Sequence, residues 1–103
     1  MRSNELKILE KIHEKKINIE DILSSKGRVK IIKILAEKGE LNISQIAKIA
    51  RINHNTCAFH LKILKEYDIV QEKIFGRIKI YRFKIENGRI RALKNLFELW
   101  NDL

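Results

Sequence analysis

The sequence has no proline, a single cysteine and no segment composed like a linker, a repeat or a low-complexity tract. One cysteine cannot form an internal disulfide bond. No apolar run approaches the ~18 residues that a membrane-spanning helix needs, and the N-terminal MRSNELKILEKIHEKK lacks the continuous apolar core of a signal peptide. We therefore expect residues 1–103 to form one soluble, cytoplasmic domain, since a chain of this length buries only one modest core.

Groups typical of enzymes and metalloproteins are also scarce. The sequence contains no glycine loop of the kind that cradles phosphates and no pairing of a nucleophile with a general base, so we predict no enzymatic activity and no cofactor. The possible metal ligands lack the dense spacing of a metal site, and no metal is expected. These ligands are His13, His54, Cys57 and His60.

Positive charge, in contrast, is plentiful. The chain carries 22 Lys and Arg residues against 13 Asp and Glu residues, which gives a formal net charge of +9. Such a balance favours a polyanionic partner and fast, salt-sensitive association. A well-solvated surface on a basic protein is the alternative, and charge alone does not decide between the two.

The segment from Ile43 to Lys65, ISQIAKIARINHNTCAFHLKILK, has the layout of a helix-turn-helix. In its first half Ser44 is predicted to cap a helix, because a serine hydroxyl accepts a hydrogen bond from an otherwise unpaired backbone N–H. Behind Ser44, apolar residues recur at helical spacing. They are Ile46, Ala47, Ile49 and Ala50.

The second half, residues 54–66, is predicted to be a helix capped by Asn53. Apolar residues recur along one side of this helix, which is therefore expected to pack. They are Cys57, Leu61 and Leu64. The opposite side is expected to stay free for binding. It carries Asn55, Phe59 and Lys62. Because Cys57 lies on the packed side, we expect it to be a small buried apolar residue rather than a reactive thiol.

The segments before the helix-turn-helix predict more helices. Leu6, Leu9 and Ile12 mark a helix over about residues 4–16, and a second apolar series predicts a central core helix that stops at Gly39. Between Gly39 and the helix-turn-helix, residues 41–43 are long enough only for a short connecting strand.

The segments after it predict a hairpin and a last helix. Residues 69–75 and 78–85 are β-branched and aromatic runs joined at Gly76-Arg77, and a helix begins near Arg89. We therefore expect a mainly α fold with a small β-hairpin, an α+β arrangement. Its order of elements is that of a winged helix-turn-helix with additional N- and C-terminal helices.

Three segments carry a resemblance to a known family. They are LSSKGRVKIIKIL at 23–35, NISQIAKIARINHNTCAFHLKILKEYDIV at 42–70 and GRIKIYRF at 76–83. They look like the ArsR-like winged-helix transcriptional regulators, especially their archaeal members. The resemblance implies a homodimer that binds double-stranded operator DNA, often as a repressor, and would place the protein with the nucleoid.

Metal sensing is not implied for this chain. Members that sense metals carry a paired-cysteine motif in the helix before the turn, or His and acidic ligands on the last helix. The equivalent segments here, SQIAKIA and RIRALKNLFELWNDL, contain no Cys or His.

Four residues of the second helix are predicted to read bases. Asn55 is suited to a bidentate contact with adenine, and His54 to the acceptor atoms of a purine. Ala58 and Phe59 are suited to thymine methyl groups. Phe59 has an alternative role, which is to pack against the wing or a neighbouring helix.

Other residues near this helix are predicted to contact phosphates. Thr56 lies in its first turn, and Lys62 and Lys65 follow along its exposed side. Alternatively, Lys65 remains solvated and contacts no phosphate. Arg28 and Lys30 in the core helix are weaker candidates for flanking phosphates.

The hairpin is predicted to act as the wing. Lys73, Arg77 and Lys79 cluster around its turn, where they would follow the DNA backbone or insert Arg77 into a narrow minor groove. The alternative is a charged edge that prevents aggregation between strands. Tyr81 and Phe83 alternate toward one side and are interpreted as core residues.

Residues 1–20 and 89–103 are predicted dimerisation helices. The apolar surface of the last helix is too large to leave in water. In similar proteins the first and last helices form the dimer interface, and the resemblance implies one made by Leu6, Leu9, Ile12, Leu93, Leu96, Phe97 and Trp100. A two-fold axis there would set two recognition helices one DNA turn apart, ~34 Å. Packing within a monomer is the alternative.

Two other functions use the same features. An architectural or RNA-binding protein would use the charge without base selectivity. A protein-interaction module would use the basic face for an acidic partner.

Overall fold

The structure is a computed structural model that describes residues 6–7 and 18–102. Leu6 and Lys7 are helical and exposed, in agreement with the predicted first helix at those two positions. Leu9, Ile12 and His13 lie outside the described residues.

The remaining elements follow the predicted order. The helices are α1 (Ile19–Ile22), α2 (Lys26–Lys38), α3 (Ile43–Ala50), α4 (His54–Glu66) and α5 (Gly88–Asp102). The strands are β1 (Glu40–Asn42), β2 (Val70–Phe75) and β3 (Ile78–Phe83). The strands form one antiparallel sheet in the order β1-β3-β2. A mainly helical fold with a small hairpin is thereby confirmed. None of the described helices is long and apolar enough to cross a membrane.

The start of α3 differs from the prediction. The side chain of Asn42 accepts a hydrogen bond from the N–H of Gln45 at 2.8 Å, and the Gln45 side chain accepts one from the N–H of Asn42 at 2.9 Å. This reciprocal pair satisfies two backbone donors that the first turn of a helix leaves unpaired. Asn42 is therefore the cap, and the prediction that Ser44 caps the helix is wrong because Ser44 already lies inside it.

One core joins the helices to the sheet. Ile31, Ile32 and Leu35 of α2 are completely buried, and residues of α3, α4, the hairpin and α5 pack with them in one cluster. Tyr81 and Phe83 are buried in the same cluster, as predicted. Leu93 of α5 is 9% exposed and belongs to it too. The core thus holds α4 and the hairpin in a fixed relation to α2.

The strand β1 does more than connect two helices. It pairs with β3, with Leu41 opposite Tyr81, and so ties the start of α3 to the hairpin. At the other end of the hairpin, Gly76 has a φ of +59°, which glycine adopts without strain, and Arg77 completes a two-residue turn between β2 and β3. Pairing continues past the base of the hairpin, where the N–H of Lys84 donates to the carbonyl of Ile69 at 2.9 Å.

Candidate nucleic-acid interface

A tight turn sets the relation of α3 to α4. Arg51 adopts a left-handed conformation with a φ of +58°, and the N–H of Ile52 donates to the carbonyl of Ala47 at 3.1 Å. The side chain of Asn53 then accepts a hydrogen bond from the N–H of Thr56 at 2.8 Å. Asn53 is therefore the cap of α4, as predicted, and the first turn of α4 emerges next to α3.

The two sides of α4 have different environments. Its inner side is buried and consists of Cys57, His60, Leu61, Ile63 and Leu64. Its outer side is exposed and carries His54, Asn55, Thr56, Lys62 and Lys65. Ala58 and Phe59 are half-buried between the two sides. Phe59 packs against the core cluster, and its ring centroid lies 5.9 Å from that of His60. The packing alternative thus describes where Phe59 lies in this structure.

A groove separates α4 from the hairpin. It has a volume of about 490 Å³ and is lined by side chains from both elements. Six of the ten predicted DNA contacts lie along it: His54, Ala58, Lys62, Lys65, Arg77 and Lys79. The structure thus brings together residues that are up to 25 positions apart in sequence, from position 54 to position 79.

The other four predicted contacts do not line the groove. Asn55 and Thr56 are exposed in the first turn of α4, and Phe59 is half-buried. Lys73 lies opposite Ile80 on the sheet face that points away from the groove, and its ammonium group is 3.8 Å from the carboxylate of Glu40.

Glu72 places a negative charge inside the groove. The hydroxyl of Tyr81 donates to this carboxylate, and the Lys65 ammonium group donates to it at 3.0 Å. The hydrogen bond from Tyr81 lowers the pKa of Glu72, and Lys65 lowers it further, against the opposing effect of burial. Glu72 is therefore ionised at neutral pH and neutralises part of the field of Lys65.

Three cations of the groove remain available, although the charge of Lys79 also helps to lower the pKa of Glu72. Among the residues that the structure describes, Lys62, Arg77 and Lys79 form no ion pair with a carboxylate. They are exposed and reach the groove from both walls. Available cations on both walls favour the binding of an anionic polymer between α4 and the hairpin.

A buried contact between Arg28 and His60 fixes α4 from its inner side. Arg28 is 1% exposed, and it donates to the backbone carbonyls of Ile22 at 2.9 Å and Asp21 at 2.8 Å. The prediction that Arg28 contacts phosphates is wrong, because its guanidinium group is used inside the protein. Its Nη1 atom lies 3.3 Å from Nδ1 of His60. Burial, and then the charge of Arg28, lower the pKa of His60 to about 4.

This contact was missed although the sequence contained a signal for it. Arg28 lies three and four residues before Ile31 and Ile32, and His60 lies three residues after Cys57, so both occupy the apolar sides of their helices. Polar residues at such positions are expected to be paired.

Cys57 is completely buried, and burial raises the pKa of its thiol to about 11. The thiol is therefore protonated at neutral pH and shielded from reagents, as its position on the inner side of α4 predicts. Within residues 6–7 and 18–102, no three His, Cys, Asp or Glu residues are grouped in a way that could hold a metal ion.

The last helix has one covered side and one open side. Ile90 and Leu93 are buried against the core, and Phe97 is half-buried on it. Leu96, Leu99 and Trp100 are 52%, 66% and 69% exposed. The predicted interface residues of α5 therefore have different environments, since Leu93 packs within the chain while Leu96 and Trp100 face outward.

A helix-turn-helix that is followed by an antiparallel hairpin, with β1 as the third strand, defines a winged helix-turn-helix. Residues 25–72 match the family model described as bacterial regulatory protein, arsR family. The match confirms the resemblance to ArsR-like regulators that the sequence predicted. The matching family model is one of regulatory proteins and not of enzymes.

Solved structures share this fold. The homodimeric winged helix-turn-helix DNA-binding domain of a possible ArsR-family regulator from Mycobacterium bovis has a TM-score of 0.64 and 22% identity, over 98% of this chain and 84% of that one. HlyU from Vibrio cholerae has a TM-score of 0.70 and 16% identity, over 89% and 94% of the two chains. The transcriptional repressor BigR from Xylella fastidiosa has a TM-score of 0.62 and 24% identity, over 92% and 84%. No curated protein sequence matches the chain.

Proposed function

We propose that the protein is a cytoplasmic, nucleoid-associated transcriptional regulator that binds double-stranded DNA sequence-specifically as a homodimer, most simply as a repressor. In this proposal α4 enters the major groove and the wing, residues 69–85, follows the backbone or the minor groove. The observation that carries the proposal is the basic groove between α4 and the wing, because available cations line both of its walls.

The first turn of α4 is the proposed base-reading end. Asn55 is exposed there, and its amide is suited to the paired donor and acceptor of adenine. His54 and Ala58 line the groove beside it and are suited to a purine acceptor and a thymine methyl group. Phe59 contributes through packing that holds this turn in place. Together these side chains favour a site rich in A·T pairs.

The phosphate contacts are proposed to differ in strength. Within the part of the chain that the structure describes, Lys62, Arg77 and Lys79 are available without breaking an ion pair. Lys65 must compete with its 3.0 Å contact to Glu72, and Lys73 with its 3.8 Å contact to Glu40. Thr56 adds a hydroxyl at the helix N-terminus, where the backbone also favours anions.

The open side of α5 supports the proposed dimer. Leu96, Leu99 and Trp100 expose apolar area that burial against a second copy would remove from water. Leu6 is 59% exposed and is proposed to join the same interface. The M. bovis neighbour is described as homodimeric. Two copies related by a two-fold axis would present two α4 helices to a roughly palindromic site.

Selection of bound sequences from a random duplex pool tests the proposal. We expect an enriched, roughly palindromic motif. Asn55→Ala should then relax base preference at one position of each half-site by ~1–3 kcal/mol. Lys62→Ala should weaken binding to every duplex and reduce the slope of log K against log salt by about 0.9 for each phosphate that is no longer neutralised.

Lys84→Ala is the matched control, because it removes the same charge at the base of β3, beside Asp68 and away from the groove. It should leave affinity nearly unchanged. Near-equal affinity for random and selected duplexes would instead show an architectural role. Negligible binding of any duplex at low salt would indicate a protein-interaction module.

A further inference from the structure

The tip of the wing exposes large apolar side chains. Ile74, Phe75 and Ile78 are 62%, 60% and 53% exposed, although each lies in a regular strand. Phe75 pairs with Ile78 in the last register position before the turn. No packing in the described part of the chain explains why these positions are apolar, whereas polar residues at a solvated hairpin tip would avoid the cost of exposed apolar area.

The strand register shows how the tip is built. Phe75 and Ile78 lie on the same face as Lys73 and Ile80, which is the face turned away from α4. Ile74 lies opposite Lys79 on the other face. Because the connecting turn contains only Gly76 and Arg77, the apolar pair sits directly behind the exposed side chain of Arg77. The tip is therefore a narrow apolar wedge with a cation at its point.

Positive charge surrounds this wedge. Lys73, Arg77 and Lys79 bracket it. Two strand carboxylates lie near these cations: Glu72 is held by Tyr81 and Lys65, and Glu40 is 3.8 Å from Lys73. A second copy of the wing would bring the same three cations together, so charge disfavours contact between wings. A partner with an apolar gap between two rows of negative charge complements the wing tip better than a second wing does. The minor groove of DNA offers this combination where two neighbouring base pairs are partly unstacked.

We propose that the wing tip inserts Phe75, supported by Ile78, between two base pairs in the minor groove and bends the DNA there. This inference rests on the proposed function. The bend would bring more of the wing against the backbone, and Arg77 would lie in the groove beside the opened step. Because the step must be partly unstacked, the protein favours a flexible TA step at this position over a stiff AA step, without any hydrogen bond to those bases.

Two duplexes with the same selected core test the wedge, one with a TA step and one with an AA step under the wing. Affinity and the bend angle are measured on both, the latter by energy transfer between dyes on the DNA ends. For the wild-type protein we expect about tenfold tighter binding to the TA duplex and a clear bend. Phe75→Ser should bring the two affinities within about twofold and straighten the DNA, while the base preference of the core is retained.

Arg77→Ala is the matched control at the same tip. It should weaken binding to both duplexes and lower the salt slope, yet keep the ratio between them, because it removes a charge and leaves the wedge. The circular dichroism spectrum and the melting temperature of Phe75→Ser should match the wild type, since the side chain is mostly exposed.

Four outcomes would overturn the wedge. Two of them are equal wild-type affinity for the TA and AA duplexes and straight DNA in the wild-type complex. If either is found while a core sequence is still selected, the proposed function stands and the wedge does not. A lower sedimenting mass for Phe75→Ser in the absence of DNA would make the tip a contact between copies. Failure to select any core would remove the proposed function and the wedge together.

Discussion

Nη1 of Arg28 lies 3.3 Å from Nδ1 of His60, and this contact joins the first turn of α2 to the inner side of α4. Since an arginine side chain stays protonated, Nδ1 must accept the hydrogen bond, and His60 is therefore neutral. Arg28 also holds the end of α1 through two backbone carbonyls. One buried cation thus links α1 and α2 to α4, the element that the proposed function places in the DNA groove.

Acid should destabilise the protein through His60. Its pKa is about 4 when folded and 6.5 when unfolded, so between these values the unfolded chain binds more protons and the free energy of unfolding rises with pH. The contribution is fully present above pH 6.5 and is lost as pH falls through 4, by up to about 3 kcal/mol. Urea unfolding at a series of pH values measures it.

His60→Asn is the informative variant, because the asparagine oxygen can accept from Arg28 but does not titrate. Glu72, whose pKa is also lowered from 4.5, adds a slope of the same sign that is confined to lower pH. We therefore expect His60→Asn to flatten the stability profile between about pH 5 and 6.5. A slope there equal to that of the wild type would contradict the assignment.

Gly27 is packed directly against His60. A Cβ atom at this position would lie 3.0 Å from Nε2 of His60, and Arg28 holds that ring in place. We expect Gly27→Ala to lower the free energy of unfolding by ~1–3 kcal/mol through overpacking. In a His60→Ala background the same change should stabilise by ~0.5–1 kcal/mol, because alanine is the better helix former. Chemical denaturation of the four proteins checks this reversal of sign.

The regular elements could be predicted because their signals are local. Apolar periodicity placed α2 and α4, and β-branched runs that meet at Gly76 placed the hairpin. The cap of α3 was predicted wrongly as Ser44, although Asn42 and Gln45 have the three-residue spacing of a reciprocal capping pair and Ser44 has no such partner.

Contacts between elements were harder to predict. The pairing of Lys65 with Glu72 depends on how α4 crosses β2, and the half-buried position of Phe59 depends on how α4 rests on the core. Neither relation follows from periodicity within one element. The sequence also did not distinguish the open side of α5 from its covered side, because both sides carry apolar residues.

Glu72→Gln should strengthen DNA binding. It removes one of the two carboxylates that line the groove, Glu66 being the other, while the amide oxygen can still accept from the hydroxyl of Tyr81. Lys65 is then released to contact phosphate, so we expect affinity for all duplexes to rise several-fold and the salt slope to become steeper by about 0.9. Fluorescence anisotropy titrations over a range of salt concentrations measure both quantities. Unchanged affinity at low salt would mean that Lys65 does not face the DNA.

Trp100→Arg should separate the proposed dimer. Trp100 is 69% exposed beside Leu96 and Leu99 in the single chain, so a charged residue there does not disturb the core but would be buried without a partner between two copies. Asn101→Arg is the control, since it adds the same charge at an exposed position of α5 on the side that faces α2, where the Asn101 amide lies 3.5 Å from the carbonyl of Lys33. Sedimentation equilibrium should give the mass of two chains for the wild type and Asn101→Arg, and of one chain for Trp100→Arg. One-chain masses for all three would refute the dimer, and with it the paired half-sites that the spacing of two α4 helices requires.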